Sequence, residues 1–140
     1  EVIANVLKNL GTKRAFVVYG MDNLDEITIT GKTKVSELKD KEVKTFYVEP
    51  RDFGMKPGHI KDIKGGGPEE NAAIVRAILS GEKGPCRDIV VLNAGVALYA
   101  AGIANDIPEG VTLAEKSIDS GTAIQALDSL VKETQKFNTP

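Results

Sequence analysis

The chain has 140 residues, 18 Lys+Arg against 20 Asp+Glu, 41% hydrophobic residues, one Cys and one His, enough for one domain with a core of its own and no need of staples. Cys86 has no second cysteine to pair with, and His59 is the only histidine, so a disulfide framework and a closed Cys/His zinc site fail on counting and a histidine-based triad is poorly supplied. A net charge of −2 with interleaved signs argues against a nucleic-acid or anionic-membrane surface. No apolar run nears the ~20 residues that span a bilayer and no signal-peptide pattern opens the chain, so a soluble, cytoplasmic protein is expected.

The first residue is Glu1 rather than Met, and Val2, Ile3, Val6, Leu7 and Leu10 already form an apolar helical stripe. The chain is therefore expected to begin inside a structural element, as a fragment of something longer. The stripe predicts a helix over 1–10 that needs a covering partner, with Gly11 as the left-handed residue that ends it. Ala15-Phe16-Val17-Val18-Tyr19 reads as a strand, and its apolarity suits a central position covered on both faces. Helix followed by buried strand places the chain in the α/β class.

Beyond that strand, Asp22, Asn23, Asp25 and Glu26 crowd into one short segment. In open α/β sheets ligands gather beyond the carboxyl ends of parallel strands, while the bland alternative is a solvated turn held by Asp and Asn side chains. Ile27-Thr28-Ile29-Thr30 alternates apolar with polar and, through Gly31-Lys32, predicts a hairpin or meander with residues 33–38. A charged turn at Lys39-Asp40-Lys41-Glu42 leads to a further strand over 43–48, stopped by Pro50. Strands are thus expected mainly in residues 14–50.

Residues 51–67 carry Gly54, Gly58, Gly65, Gly66 and Gly67 and read as a connecting loop anchored by Phe53 and Met55. His59 lies there without a titratable partner, which favours a structural or solvated role. The Lys64-Gly65-Gly66-Gly67-Pro68 run delivers the chain to a helix with Pro68 in its first turn. An anion at that helix start would meet Glu69 and Glu70, and the spacing matches neither the P-loop nor the dinucleotide fingerprint, so the structural reading is preferred. Helices are expected from 68 to 137, one of them continuous from about Cys86 to Ala104 despite the β-branched Ile89-Val90-Val91. Cys86 reads as a small structural thiol. Residues 105–110 read as a turn, 111–119 as a short helix, and Ile124, Leu127, Leu130, Val131 and Phe137 as the apolar face of a last one.

Taken in order, Gly20-Met21-Asp22-Asn23-Leu24-Asp25-Glu26-Ile27, Thr30-Gly31-Lys32-Thr33, Pro50-Arg51-Asp52-Phe53-Gly54, Gly66-Gly67-Pro68-Glu69-Glu70-Asn71-Ala72 and Leu92-Asn93-Ala94 resemble the anthranilate phosphoribosyltransferase family, along essentially the whole chain. The resemblance implies the carboxyl-terminal part, residues 1–140, of a phosphoribosyltransferase-type α/β catalytic domain. It implies an enzyme that moves phosphoribose from phosphoribosyl pyrophosphate to anthranilate, releasing pyrophosphate in tryptophan biosynthesis. It also implies Mg²⁺ as cofactor, with Asp25 and Glu26 matching the family's metal-holding pair, and Asp22 as a neighbour or turn former. That pair suits the ion, since Mg²⁺ takes carboxylate oxygens and keeps water and phosphate as its other ligands.

The family's Gly-Thr-Gly-Gly-Asp loop, its Lys-His-Gly-Asn-Arg segment and the small helical domain through which it dimerises have no counterpart in this chain and would precede Glu1. Asn23 stands where the family usually has Gly, a tolerable change because Asn enters the left-handed region more readily than most residues. A chain without the amino-terminal half is expected to be inactive alone. The competing readings are a pyrimidine nucleoside phosphorylase-like enzyme and a non-catalytic α/β binding module.

Overall fold

Antiparallel pairing decides the layout. The computed structural model describes residues 1–137, in which helix α1 (Val2–Asn9) precedes strands β1 (Arg14–Gly20), β2 (Thr33–Lys39) and β3 (Glu42–Val48), arranged β1-β2-β3. Short 3-10 turns at Pro50–Phe53 and Ile60–Ile63 lead to helices α2 (Pro68–Leu79), α3 (Pro85–Ala100), α4 (Ile107–Asp119) and α5 (Thr122–Gln135). The α/β class holds, with the strands inside residues 14–50 and helices in the opening and closing segments.

The register runs Arg14↔Lys39 to Gly20↔Thr33 across the first pair and Thr33↔Val48 to Lys39↔Glu42 across the second. Gly20, Thr33 and Val48 therefore sit abreast at one end of the sheet. The 21–32 loop and the chain that follows β3 leave from that same end. At the opposite end the charged turn between β2 and β3 has Asp40 and Lys41 at φ of 52° and 64°, the left-handed pair that matches a tight turn to strand twist.

Three expectations are corrected. Among the described residues β2, not β1, is the central strand: Thr33, Val35, Ser36 and Leu38 are buried, whereas β1 from Arg14 to Val18 is half-buried. Residues 27–30 form no strand, because Thr28 and Thr30 turn their hydroxyls onto Asp22 rather than alternating across a ladder. The turn expected at 105–110 is shorter than the sequence suggests. Asp106 accepts from the Glu109 N–H at 2.8 Å and Pro108 stands in the first turn, so α4 already begins at Ile107; a capped, proline-compatible entrance starts a helix earlier than its apolar stripe does.

Other expectations stand: Gly11 has φ of 87° after α1, and α3 is one helix through Ile89-Val90-Val91, although it ends at Ala100 rather than Ala104, with Gly102 left-handed just beyond it. The core joins Val35 of β2, Ile27 and Ile29 of the loop, Ile89, Val91, Leu92 and Val96 of α3, and Val111, Ala114 and Ile118 of α4. Helices α3 and α4 meet backbone to backbone: a Cβ on Gly110 would lie 2.2 Å from the Gly95 carbonyl oxygen, so only glycine permits the approach. Arg87, 2% exposed, places Nη1 2.7 Å from Asp119 Oδ1 at the far end of α4. On α1 only Ala4 is buried, and Val2 and Leu10 are each 78% exposed. Leu130 of α5 and Phe137 beyond its end are likewise exposed, so part of the expected apolar face of the last helix is open among the described residues.

Candidate metal-binding site

The loop from Met21 to Lys32 begins at a strand end and is closed at its neck by main-chain bonds. Met21 N–H donates to the Lys32 carbonyl at 2.8 Å, Gly20 N–H to Leu24 O at 2.9 Å, and Asn23 N–H to Gly20 O at 2.9 Å. Asn23 takes φ of 73°, the left-handed conformation that asparagine tolerates, and its side-chain oxygen accepts from the Tyr19 hydroxyl at 2.6 Å.

Asp22 is turned into the loop. Its Oδ2 accepts from the hydroxyls of Thr28, at 2.5 Å, and Thr30, and its Oδ1 accepts from the Leu24 N–H at 3.2 Å. Partial burial pushes this carboxyl up, but the bonds from Thr28, Thr30 and Leu24 outweigh burial and hold it below the usual aspartate range. With both oxygens engaged, Asp22 shapes the turn. Thr28 is itself fixed, its N–H donating to Thr33 Oγ1 at 3.0 Å and its hydroxyl accepting from the Thr30 N–H at 2.9 Å.

Asp25 and Glu26 stand on the outer side of the same loop, exposed. Burial of its surroundings, then the charges of Asp25 and Asp22, push the Glu26 carboxyl above the ordinary glutamate range. Neighbouring like charges are relieved by a cation. Glu26 also borders a cavity of about 530 Å³ whose walls include Lys61 and Lys64 beside Leu24, Ile60, Ile63 and Ile89. Among the described residues no group of three or more His, Cys, Asp or Glu converges on one point. Two adjacent carboxylates with open space around them suit a hard divalent ion that keeps waters and substrate oxygens, not an all-protein cage.

The residue after the pair is held from across the core. Ile27 N–H donates to Asn93 Oδ1 at 2.9 Å, and Asn93 Nδ2 donates to the Ile27 carbonyl at 2.8 Å and to the Ile89 carbonyl at 3.0 Å. Sequence reasoning places Leu92-Asn93-Ala94 in a motif but gives Asn93 no task. The available signal was a lone amide inside an otherwise apolar helix, since a half-buried polar side chain there must find partners.

The remaining candidates fall into structural roles. His59 is exposed and its N–H donates to Asp62 Oδ2 at 3.1 Å, while Cys86 donates its thiol to the Asp62 carbonyl at 3.2 Å. The glycine run is closed on itself: Gly66 N–H donates to Asn71 Oδ1 at 2.8 Å and Asn71 Nδ2 to the Gly66 carbonyl at 3.0 Å. The Gly66 N–H thus serves the turn, in keeping with the structural reading.

The family model described as "Glycosyl transferase family, a/b domain" matches residues 1–124. The chain belongs to that family. Within it, the chain is 52% identical to anthranilate phosphoribosyltransferase of Acetivibrio thermocellus over 137 residues, covering 98% of the chain and 40% of the relative. It is 48% identical to the Methanobrevibacter smithii enzyme of the same name over 132 residues, 94% of the chain and 39% of the relative. Among solved structures, Thermus thermophilus anthranilate phosphoribosyltransferase superposes with TM-score 0.84 at 40% identity, over 93% of this chain and 38% of that one. The Saccharomyces cerevisiae enzyme in complex with PRPP and Mg superposes with TM-score 0.80 at 30% identity, over 90% and 36%. The chain thus spans about two-fifths of the length of these family members. No helix of the described residues is long and apolar enough to cross a membrane.

Proposed function

We propose that this chain is the metal-holding, carboxyl-terminal part of the catalytic α/β domain of an anthranilate phosphoribosyltransferase. In this reading the complete protein transfers phosphoribose from phosphoribosyl pyrophosphate to the amino group of anthranilate in tryptophan biosynthesis, in the cytoplasm. The observation that carries it is the exposed Asp25–Glu26 pair on a loop fixed at both ends, in a chain half identical to enzymes of that name. Those names favour this reading over a pyrimidine nucleoside phosphorylase or a module without chemistry.

Asp25 and Glu26 would hold Mg²⁺, which when bound would neutralise the charge that grows on the diphosphate leaving group. Asp22 does not bind the ion; it keeps the turn that aims the pair. The glycine-rich phosphate loop, the other substrate contacts and a dimer-forming helical domain belong to the half of the protein outside this chain, so the 140 residues alone do not turn over.

The deciding experiment assays the complete gene product for phosphoribosylanthranilate formation with phosphoribosyl pyrophosphate and anthranilate, with and without Mg²⁺. Turnover abolished by EDTA and restored by Mg²⁺ is expected. Absence of transfer under all metal conditions sinks the reading, and full turnover by the 140-residue chain alone sinks the split of the active site.

A further inference from the structure

We infer that Asn93 is a positioning residue that sets the distance and orientation of the Asp25–Glu26 pair relative to the helical core; the inference rests on the metal-holding reading of that pair. Neither Asp25 nor Glu26 has a main-chain hydrogen bond among the described residues. The last anchor before them is Leu24, bonded through its carbonyl to Gly20 and through its N–H to Asp22. The first anchor after them is Ile27, and both of its main-chain groups are taken by one amide, Asn93, 66 positions further along the chain.

The amide's orientation follows from its partners. One end faces two carbonyls, Ile27 O and Ile89 O, which accept only, while the other faces an N–H, which donates only. The NH₂ group must therefore lie toward the carbonyls and the oxygen toward the Ile27 N–H. Asn93 thus gives Ile27 the donor-acceptor pair that a neighbouring strand would have given it. Its bond to Ile89, one turn earlier in α3, removes the side chain's remaining freedom. The helix beneath it is fixed as well, because Val91 and Leu92 are 1% and 0% exposed and Gly95 lies against the backbone of α4.

The side chain has few substitutes. Aspartate has the same shape but directs a carboxylate oxygen at two carbonyls, so it repels where asparagine donates. Alanine removes the hydrogen bonds to both main-chain groups of Ile27 and leaves only its buried side chain to hold the loop between Leu24 and Thr28. Outer contacts that orient metal-holding groups alter metal affinity by about 10- to 100-fold when lost.

The test compares Asn93→Asp and Asn93→Ala with the wild type in the complete protein, reading the Mg²⁺ concentration for half-maximal turnover, the KM for anthranilate, and Mn²⁺ binding by EPR in the presence of inorganic diphosphate. The expected result is a rise of about tenfold or more in the Mg²⁺ requirement, a parallel weakening of Mn²⁺ binding, an unchanged anthranilate KM, and a larger effect for Asp than for Ala. Variants that titrate with metal as the wild type does, or that lose melting temperature without any metal shift, overturn it. If neither variant folds, hydrogen exchange on the wild type decides: an Ile27 amide protected well beyond that of Glu26 supports the tether, and one exchanging as fast overturns it. An Asp25→Ala/Glu26→Ala variant with an unchanged Mg²⁺ titration would instead fault the metal reading itself, which separates the two failures.

Discussion

Two asparagines in this chain perform the same chemistry at very different range. Asn71 and Asn93 each close their amide on both main-chain groups of one residue, with bonds of 2.8 and 3.0 Å to Gly66 and 2.9 and 2.8 Å to Ile27. The first clamp spans 5 positions and the second 66. A local clamp shapes only its own turn, here the entrance to α2. The distant clamp ties a loop carrying two exposed carboxylates to a buried helix, so it transmits the rigidity of the core to the place where chemistry is proposed. Equal hydrogen bonds can thus have unequal functional weight.

The largest effect is expected at the acids themselves. Asp25→Ala combined with Glu26→Ala in the complete protein is expected to lower Mg²⁺-dependent turnover at least about a hundredfold, the scale of the several kcal/mol a metal supplies. Because both side chains are exposed, the melting temperature should stay within a few degrees. A variant with normal kcat and normal Mg²⁺ dependence would remove the functional meaning of the long clamp.

Next in size is the seat of α3. Gly110→Ala drives a methyl group into the Gly95 carbonyl, and an overpacked helix contact of this kind costs about 3 kcal/mol. Thermal unfolding should report the loss. The helix that carries Asn93 cannot then keep its place, so metal dependence should worsen together with stability; a stability loss that leaves the Mg²⁺ titration untouched would show the acids to be independent of α3.

Asp22→Asn tests the other anchor of the loop. The carboxyl of Asp22 titrates below its usual range because its bonds outweigh its burial, so its contribution is present in full above about pH 4, the ordinary aspartate range, and fades as pH falls through the lowered value. Asparagine there should destabilise the protein by about 2 kcal/mol at pH 7. The gap from wild type should close on acidification below the unfolded value, and a gap independent of pH would refute the assignment.

The smallest effect is expected at the local clamp. Asn71→Ala loses bonds at an exposed turn and should cost about 1 kcal/mol, with Mg²⁺ dependence and anthranilate KM unchanged. A metal effect at Asn71 as large as that at Asn93 would erase the distinction between the clamps.

Much of this was legible along the chain. Helix α3, the charged turn at Asp40-Lys41, the left-handed Gly11, and the crowding of acids at Asp22, Asp25 and Glu26 all follow from a few neighbouring residues, whereas the left-handed Asn23 was expected from the family's usual Gly at that position. The Ile27–Thr30 segment was misread because alternation is shared by two structures: a strand that sends polar side chains to one face, and a loop whose threonines donate to a single carboxylate. Alternation does not state where the acceptor is. Among the described residues β1 is not central for a related reason, since apolarity measures the tendency to be covered, whereas strand order follows from which edges meet.

The periodic helices, the turn chemistry and the adjacent carboxylates are readable along the chain, because each depends on interactions within a turn or two. The inward turn of Asp22, the exposure of Asp25 and Glu26, the contact of Gly95 with Gly110 and the pairing of Asn93 with Ile27 emerge only in the folded molecule. Those facts depend on contacts between residues far apart in sequence, and their partners are selected by packing of the core rather than by local preference.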